Sequence, residues 1–299
     1  MASVTYIKRY DEDGFWSDSN DQYRGNPPMI RAMDNGAWVG VGVFDSARSF
    51  EGVVPDLDLH CQRSILSTQR LRLTPPVDAQ YAIDICHKSI AKFPKDALLY
   101  IRLEFWAAEG IIPANQSKIN FAVVTTEVPW AGDTFTACVS SYRRPDPRTA
   151  PTNAKANALY TNIHLAGVEA KEKGFDTALM LDLNDNVCEF AVANLIYVKG
   201  TTVYTPKPSA CFLNGITRQR VSGLLADAGY RIEEKVTKLQ DLMEADEVFS
   251  TGNLFKIRAC TKLEDRLFDP APGPVAAHAK KLYWDFAHGR IQSKAKIII

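Results

Sequence analysis

Lys155 is the first residue of this sequence that could carry out chemistry. It follows a polar loop with several prolines, SYRRPDPRTAPTNA, and stands among small residues in TAPTNAKANALY. A lysine amine can form a Schiff base with a carbonyl compound when a partly desolvated pocket keeps the amine neutral. Lysine alone is weak evidence, because most lysines are solvated surface charges. The assignment therefore depends on the groups that accompany Lys155.

Glu189 is a second candidate because it is a carboxylate inside an otherwise apolar segment, CEFAVANLIYV. Burying a carboxylate is costly unless it has a partner. Two interpretations are open at this point. Glu189 either lies at a solvated strand end, or it pairs with a cationic nitrogen such as a protonated pyridinium.

Three further features could bind an anion such as a phosphate group. In FLNGITRQRV, Thr217 stands at the start of a predicted helix, whose free N–H groups and dipole attract anions. Alternatively, Thr217 only caps that helix. The segment STGN, residues 250–253, could present further donors or form a plain turn. Arg63 could reach a phosphate or lie on the solvated face of its helix.

The remaining composition excludes several other classes of protein. Lys and Arg together number 35, as do Asp and Glu, so there is no basic excess of the kind that nucleic-acid binding requires. No apolar run approaches the roughly 18 residues of a membrane span, and the N-terminal segment MASVTYIKRYDEDGFW lacks the apolar core of a signal peptide. We therefore expect a cytoplasmic protein without a membrane or nucleic-acid partner.

Cysteine and histidine spacing gives no indication of a metal site. The six cysteines are scattered without a C-x-x-C pair, which makes a disulfide framework or a zinc site improbable. The histidines lack ligand spacing, and no nucleophile-elbow motif supports a Ser-His-Asp site. We expect buried thiols, structural histidines and no bound metal.

The elements that must position these residues form a mixed α and β pattern. Strands are predicted at residues 37–50, 97–108, 120–128 and 248–253, and several strands with turns at NDN and KG within residues 177–206. Helices are predicted at residues 55–73, 77–93, 158–174 (with Gly174 ending the helix) and 217–230. The breaker cluster PWAGD indicates a hinge. We expect a small α/β domain at residues 1–128, an interdomain loop at 129–132 and a larger domain at 133–299.

In this order and spacing, the segments resemble the fold-type IV pyridoxal 5'-phosphate (PLP) aminotransferases, most closely the branched-chain aminotransferase group. The similarity extends from about Phe44 to Tyr283 and is strongest in AKANALY, CEFAVANLIYV, FLNGITRQRV and ADEVFSTGN. The resemblance implies a two-domain α/β enzyme with the D-amino acid aminotransferase-like fold. It also implies PLP in the cleft between the domains, and a homodimer.

The resemblance implies three residues that act on the PLP ring. Lys155 matches the lysine that forms the Schiff base with PLP and moves the substrate proton. Tyr160 matches the tyrosine that binds the phenolic oxygen of the cofactor. Glu189 matches the carboxylate that is paired with the pyridine nitrogen, where it keeps the ring protonated and electron-withdrawing.

The resemblance also implies a phosphate site and a packing residue. Arg63 matches the phosphate-binding arginine, and Ile216 and Thr217 match the helix start that binds the phosphate. Asn253 stands where the family commonly has threonine, and its amide could still donate to the phosphate. Leu213 matches the leucine that packs on the cofactor ring.

Four residues are implied to line the substrate pocket. Tyr100 and Arg102, in LLYIRLEF, match pocket positions, and the arginine of the branched-chain group binds the side-chain carboxylate of glutamate. Phe44 and Arg48 are kept in VFDSAR, a segment that usually reads Phe-Glu-Gly-Ile-Arg. Val39 and Asp133 stand where the family usually has tyrosines. The cofactor half therefore matches the family, while the substrate half is altered.

The expected function is transfer of an amino group from an amino acid, with branched-chain donors favoured, to a 2-oxo acid such as 2-oxoglutarate. A D-amino acid or (R)-amine transaminase is one alternative, since these enzymes share the cofactor site. A lyase of the aminodeoxychorismate type is another, and it would release pyruvate without an oxo-acid acceptor. A third is a binding module without activity, against which the set of Lys155, Tyr160, Glu189 and Arg63 argues.

Overall fold

The computed structural model describes residues 2–18, 26–208 and 211–299, and its contacts divide the chain into two compact units. Unit 1 comprises Met1–Trp130, Ala154–Ala158 and Ile299, and unit 2 comprises Ala131–Asn153 and Leu159–Ile298. The division falls inside the loop that the sequence predicts at residues 129–132. The segment 154–158, which the sequence analysis assigns to the second domain, groups with unit 1 instead.

Unit 1 is built on an antiparallel five-stranded sheet in the order β2–β1–β5–β4–β3. The strands are β1 Ser3–Lys8, β2 Phe15–Asp18, β3 Gly42–Ser49, β4 Leu99–Ala107 and β5 Ile119–Glu127. The helices are α1 Asn35–Trp38, α2 Leu57–Arg70 and α3 Ala79–Ile90. Asp78 caps α3 by accepting a hydrogen bond of 2.8 Å from the backbone N–H of Tyr81. The larger apolar core of the unit lies between the sheet and helices α2 and α3, and a smaller cluster of Ile7, Trp106 and Ala122 is separate from it.

Side-chain alternation gives the unit 1 sheet two different faces. On β4, Ile101, Leu103 and Phe105 are fully buried and share one core with apolar side chains of α2 and α3, such as Cys61 and Cys86. The intervening β4 residues point to the opposite face and are only partly buried. This second face is therefore available for polar and charged side chains.

The segment that contains Lys155 extends the sheet beyond its edge strand β3. Val43 and Ala156 form an antiparallel bridge, and the N–H of Phe44 donates to the carbonyl oxygen of Lys155 at 3.0 Å. This pairing explains why residues 154–158 belong to unit 1. The strand register, rather than the sequence neighbours of Lys155, determines its position.

Unit 2 contains a larger mixed sheet in the order β11–β10–β9–β12–β13–β6–β7–β8, with β14 paired to β13. The strands are β6 Thr134–Arg143, β7 Thr177–Leu181, β8 Val187–Phe190, β9 Asn194–Lys199, β10 Thr202–Pro206, β11 Arg231–Lys235, β12 Glu247–Gly252, β13 Lys256–Leu263 and β14 Arg266–Leu267. The helices are α4 Tyr160–Glu172, α5 Ile216–Asp227, α6 Leu239–Met243 and α7 Pro274–Ala287, and a 3₁₀ turn at Asn157–Leu159 precedes α4.

Gly174 ends α4, as the sequence predicts. It follows the C-cap residue Lys173 and has a φ of 79°, which a residue without a Cβ adopts at little cost. The N–H of Gly174 donates to Lys171 at 3.0 Å and the N–H of Phe175 to Ala170 at 2.9 Å. These two bonds satisfy carbonyl groups at the helix end in the Schellman pattern.

Some local predictions were wrong. Residues 37–38 lie in the short helix α1 and not in a strand, so the predicted strand at 37–50 is reduced to β3. Strand β6 continues to Arg143 and takes the first residues of the predicted loop. Thr217 does not cap α5, because the N-cap is Gly215 and Thr217 is the second residue of the helix.

Neither a membrane span nor a metal cluster is found in the described residues. None of their helices combines the length and the apolar character that crossing a bilayer demands. No group of three or more His, Cys, Asp or Glu side chains in those residues is arranged to hold a metal ion. All six cysteines are free thiols, and five of them are buried.

Candidate active site

Lys155 is held on unit 1 by its backbone. Its N–H donates to Oγ of Ser67, on α2, at 3.2 Å, and its carbonyl oxygen accepts from the N–H of Phe44. The Lys155 Nζ lies 4.5 Å from the centroid of the Phe44 ring, and the residue is partly buried. Lys155 is therefore not a freely solvated lysine, because β3 and α2 together fix the position of its backbone.

Arg102 and Glu104 share the sheet face that carries Phe44. The register places Glu104 opposite Phe44, with Arg102 two residues away on the same strand. The Arg102 guanidinium lies 3.9 Å from the Phe44 ring centroid and donates to the Glu104 carboxylate at 2.9 and 3.1 Å. Asn157 also donates to Glu104, at 3.4 Å. Phe44 and Arg102 were predicted from the sequence as site residues, whereas Glu104 was not.

The pKa of Glu104 is raised because burial disfavours the charged carboxylate. The hydrogen bonds and the charge of Arg102 act in the opposite direction, as do Asn157 and the positive charge of Lys155. The Lys155 amine is thus close enough to influence this carboxylate.

Arg48 and Tyr100 lie opposite each other farther along the same face. Arg48 is fully buried; it donates to the carbonyl oxygen of Val128, and its guanidinium lies 4.5 Å from the Trp130 ring. Burial lowers the pKa of Arg48 to about 10. Its Nε and Nη1 atoms are buried without hydrogen-bond partners. Arg48 therefore anchors Val128 and Trp130, at the end of the first segment of unit 1.

Arg63 lies on the helix-facing side of the sheet, and its interpretation as a solvated residue is wrong. It is only 5% exposed and binds Asp45 through Nε at 2.6 Å and Nη2 at 2.9 Å. His60 Nδ1 lies 2.8 Å from the same carboxylate. Burial opposes ionisation of Asp45, but the charges of Arg63 and His60 hold its pKa well below its usual range.

Unit 2 buries the second candidate carboxylate, so a solvated strand end is also excluded for Glu189. The residue is 7% exposed, and its carboxylate lies 3.2 Å from Arg144 Nε. The side-chain amide of Asn194 donates to it at 2.9 Å. Arg144 is itself held by its backbone N–H, which donates to Leu181 on β7 at 2.8 Å. Arg144 and Asn194 were not predicted as partners of Glu189 from the sequence.

Asn194 also connects Glu189 with the segment that leads into α5. Its amide donates to the carbonyl oxygen of Leu213 at 3.0 Å. A Cβ at Gly215 would collide with the Asn194 side-chain oxygen, so the chain needs glycine at this N-cap. Ile216 and Thr217 are buried in the first turn of α5, where backbone N–H groups lack intrahelical partners.

The end of β12 supplies two further candidate donors. The Thr251 hydroxyl is buried without a hydrogen-bond partner, and Thr251 pairs with Asn194 across the strands. The side-chain oxygen of Asn253 accepts from Lys256 Nζ at 2.7 Å, and Lys256 is only 1% exposed. Because a lysine ammonium only donates, this bond turns the Asn253 oxygen toward Lys256 and leaves its NH₂ group to face elsewhere.

The remaining predicted residues lie at less constrained positions. Tyr160 is the first residue of α4 and packs, partly buried, against a cluster that includes Cys138 and Ile163. Val39 is exposed next to α1, and Asp133 is exposed and bonded to Lys280 at 2.5 Å. At both positions where the family usually has a tyrosine, this chain therefore has an exposed side chain.

The donors of each unit fit an anionic cofactor with a phosphate group. Buried donors without partners are rare in proteins, yet Arg63 Nη1 in unit 1 and Thr251 Oγ1 in unit 2 are of this kind. A phosphate accepts hydrogen bonds from guanidinium, hydroxyl and helix N-terminal N–H groups alike. The buried, ionisable Glu189 in turn suits a protonated ring nitrogen.

The sequence carried signals for some of the residues that were missed. Arg102 and Glu104 are two residues apart on a predicted strand, so they had to share a face. Arg144 belongs to the RR pair within the polar loop SYRRPDPRTAPTNA, and Asn194 is the polar residue that begins β9. None of these signals shows which partner each side chain contacts in the folded protein.

Comparisons with known proteins give consistent results. The family described as amino-transferase class IV matches residues 42–263. A branched-chain-amino-acid aminotransferase of Pseudomonas aeruginosa is 26% identical over 271 residues, which cover 86% of this chain and 87% of that protein. A branched-chain-amino-acid aminotransferase of Escherichia coli is 25% identical over 289 residues, which cover 92% of this chain and 94% of that protein.

Solved structures show the same similarity. An aminotransferase from Brucella abortus bound to the co-factor PLP is 38% identical, with a TM-score of 0.88 and coverage of 95% of this chain and 99% of that one. The branched-chain amino acid aminotransferase of Escherichia coli is 25% identical, with a TM-score of 0.86 and coverage of 97% and 96%.

Proposed function

The chain belongs to the class IV aminotransferases, and we propose that it uses PLP to move an amino group from an amino acid to a 2-oxo acid. The observation that carries this proposal is the placement of Lys155, whose backbone is fixed between β3 and α2 and whose amine lies over Phe44. A partly buried lysine at a fixed position is what Schiff-base chemistry requires.

When bound, PLP supplies a protonated ring that draws electrons from the substrate Cα. Lys155 would hold the cofactor through its amine, and the same amine would move the proton at the substrate Cα. Glu189 would hold a proton on the ring nitrogen. Arg144 and Asn194 orient the Glu189 carboxylate, as hydrogen-bonding partners behind a functional group commonly do. Tyr160 would donate to the phenolic oxygen.

The phosphate would be bound by donors of several kinds. Arg63 offers one guanidinium nitrogen beyond its bonds to Asp45, and the first turn of α5 at Ile216 and Thr217 offers backbone N–H groups. The NH₂ group of Asn253 would be a further donor, and its side-chain oxygen accepts from Lys256. In addition, Leu213 would pack on the cofactor ring.

Branched-chain amino acids are the donors that we favour. The relatives named above act, by their names, on branched-chain amino acids. The partly buried Tyr100 shares the sheet face of Phe44, whose ring lies beside Lys155, and aromatic residues on this face suit an apolar side chain. The D-amino acid, (R)-amine and lyase alternatives have no comparable support. A homodimer, in the cytoplasm, remains a prediction that sedimentation and fractionation would test.

The test begins with the absorbance of the purified protein after reconstitution with PLP. We expect a visible band that disappears on addition of an amino donor, and turnover with a panel of L-leucine, D-alanine and (R)-1-phenylethylamine that is highest for L-leucine. Lys155→Ala should lower turnover on the order of 10⁴-fold because it removes the proton-transfer group. The control is Lys118→Ala, at an exposed lysine bonded to Glu109. Unchanged turnover in Lys155→Ala would contradict the proposal.

A further inference from the structure

Arg102 and Glu104 form a charge pair on the sheet face that carries Lys155. Glu104 lies opposite Phe44 in the strand register, and Phe44 is bonded to the Lys155 backbone. The Lys155 amine and the Arg102 guanidinium both lie over the Phe44 ring, at 4.5 and 3.9 Å from its centroid. A substrate that reacts at Lys155 must therefore extend near this pair.

The Arg102 guanidinium is already engaged by a carboxylate of this chain. Its Nε and Nη2 atoms donate to the two oxygens of Glu104 at 2.9 and 3.1 Å, which is the bidentate arrangement that an arginine also uses for a substrate carboxylate. Asn157 adds a third hydrogen bond, at 3.4 Å, and helps to fix the carboxylate. A substrate carboxylate at Arg102 would have to displace Glu104 or lie beside a like charge.

Arg48 does not offer an equivalent site. It is the other arginine of this face, but it is fully buried, donates to the Val128 carbonyl oxygen and lies against Trp130. The net charge that Arg102 and Glu104 present to a substrate is zero.

We infer that Glu104 determines specificity: by occupying Arg102, it makes the pocket select donors and acceptors with uncharged side chains over those with a second carboxylate. This inference rests on the proposed function. The amino group of the donor replaces the oxo oxygen of the acceptor while the donor becomes a 2-oxo acid, so the transfer balances without a further reactant. The preferred acceptor is a monocarboxylic 2-oxo acid rather than 2-oxoglutarate.

The first experiment compares two acceptors of equal chain length, 2-oxopentanoate and 2-oxoglutarate, with the PLP-loaded enzyme and one amino donor. Wild type is expected to favour 2-oxopentanoate in kcat/KM by at least about 10-fold, a factor equivalent to about 1.4 kcal/mol. Glu104→Gln, which keeps the shape and removes the charge, is expected to shift the ratio at least about 10-fold toward 2-oxoglutarate. Glu104→Leu provides a second variant with the same expected direction.

Two further variants test the cause of the shift. The double variant Glu104→Gln/Arg102→Gln is expected to lose the gain for 2-oxoglutarate, because the gain requires a released Arg102. The matched control is Glu109→Gln, at a unit 1 glutamate that bonds Lys118 and Tyr10 instead of Arg102. Its acceptor ratio is expected to equal that of wild type.

A binding measurement separates this inference from the proposed function. Isothermal titration calorimetry with the unreactive acids glutarate and pentanoate requires no turnover, and Glu104→Gln is expected to gain about 10-fold in affinity for glutarate only. Absence of amino transfer with both acceptors would contradict the proposed function, and calorimetry would still decide about Glu104. A wild-type preference for 2-oxoglutarate, or a ratio and a glutarate affinity unchanged in both Glu104 variants, would overturn the inference.

Discussion

Two carboxylates of this protein, one in each unit, are paired with an arginine but differ in their access to water. In unit 2, the side chains of Glu189 and Arg144 are 10% and 3% exposed, and Arg144 Nε lies 3.2 Å from the Glu189 carboxylate. In unit 1, the side chains of Glu104 and Arg102 are 16% and 37% exposed, and two hydrogen bonds join them. The buried pair belongs to the predicted cofactor site, and the more exposed pair belongs to the predicted substrate site.

This difference in exposure to water indicates which role each pair can have. Two charges that are removed from water depend on each other, so loss of one leaves the other uncompensated. This dependence holds Glu189 in place beside Arg144, which suits a permanent role toward a ring nitrogen. A pair that water reaches has a small net free energy and its partners can be exchanged. Such a pair suits the selection of substrates, and Glu104 is therefore the residue at which specificity is expected to change most easily.

The largest effect is expected for Glu189→Gln. The substitution leaves Arg144 buried without a counter-charge, which should lower the free energy of unfolding by about 3–5 kcal/mol. It should also reduce kcat for all donors and acceptors alike, because the residue acts on the cofactor and not on the substrate side chain. Urea unfolding and steady-state kinetics check both parts. A variant that changed acceptor preference without loss of stability would break the contrast with Glu104.

The next effect concerns Asp45, the buried carboxylate of unit 1 that binds Arg63 and His60. Its folded-state pKa lies below the ordinary value of 3.8, so its ionisation stabilises the fold fully above that pH. This contribution is lost as the pH falls further toward the folded-state pKa. Asp45→Asn should therefore cost about 3 kcal/mol at pH 7, since it removes one partner of a buried charge pair.

Urea unfolding at pH 7 and pH 3 checks the sign of this prediction. The difference in unfolding free energy between wild type and Asp45→Asn should shrink at the lower pH, because the Asp45 carboxyl of the unfolded chain is then largely protonated while that of the folded protein stays ionised. A difference that stayed constant or grew would show that Asp45 stabilises the fold by packing and not by its charge. Its pair with Arg63 would then resemble the exposed pair of Glu104 in energy.

A smaller effect is expected for Thr251→Val, which removes a buried hydroxyl without a partner. If the hydroxyl donates to the cofactor phosphate, its loss should weaken PLP binding by about 1.5–3 kcal/mol, the range for a hydrogen bond to a charged group. Equilibrium dialysis against PLP measures this change. A variant that bound PLP as well as wild type and unfolded at a higher temperature would indicate that the hydroxyl is only a buried, unsatisfied group.

The smallest effect on stability is expected for Glu104→Gln. Arg102 is 37% exposed and water can solvate it when the charge of Glu104 is removed, so the free energy of unfolding should change by at most about 1 kcal/mol. Thermal unfolding of Glu104→Gln and Glu189→Gln side by side gives the comparison directly. Equal losses in the two variants would remove the distinction on which the specificity role of Glu104 depends.

Much of the fold followed from local patterns. The predicted helices around residues 55–73 and 77–93 correspond to α2 and α3, because their periodic apolar residues and start signals lie within one segment. The predicted strands at 97–108 and 120–128 correspond to β4 and β5 for the same reason. The segment at residues 37–38 was mistaken for strand, since its apolar composition suits both states and only its neighbours in space decide between them.

The sequence by itself determined the family-like segments around Lys155, Glu189 and Thr217, because each is a short run of neighbouring residues with its own chemical signature. Only the tertiary structure decided what these residues meet. Arg144 reaches Glu189 across 45 positions of the chain, and Lys155 joins unit 1 by pairing with β3. Burial and ion pairing are properties of residues brought together from distant segments. A carboxylate such as Glu104 therefore becomes interpretable only after the strands have paired.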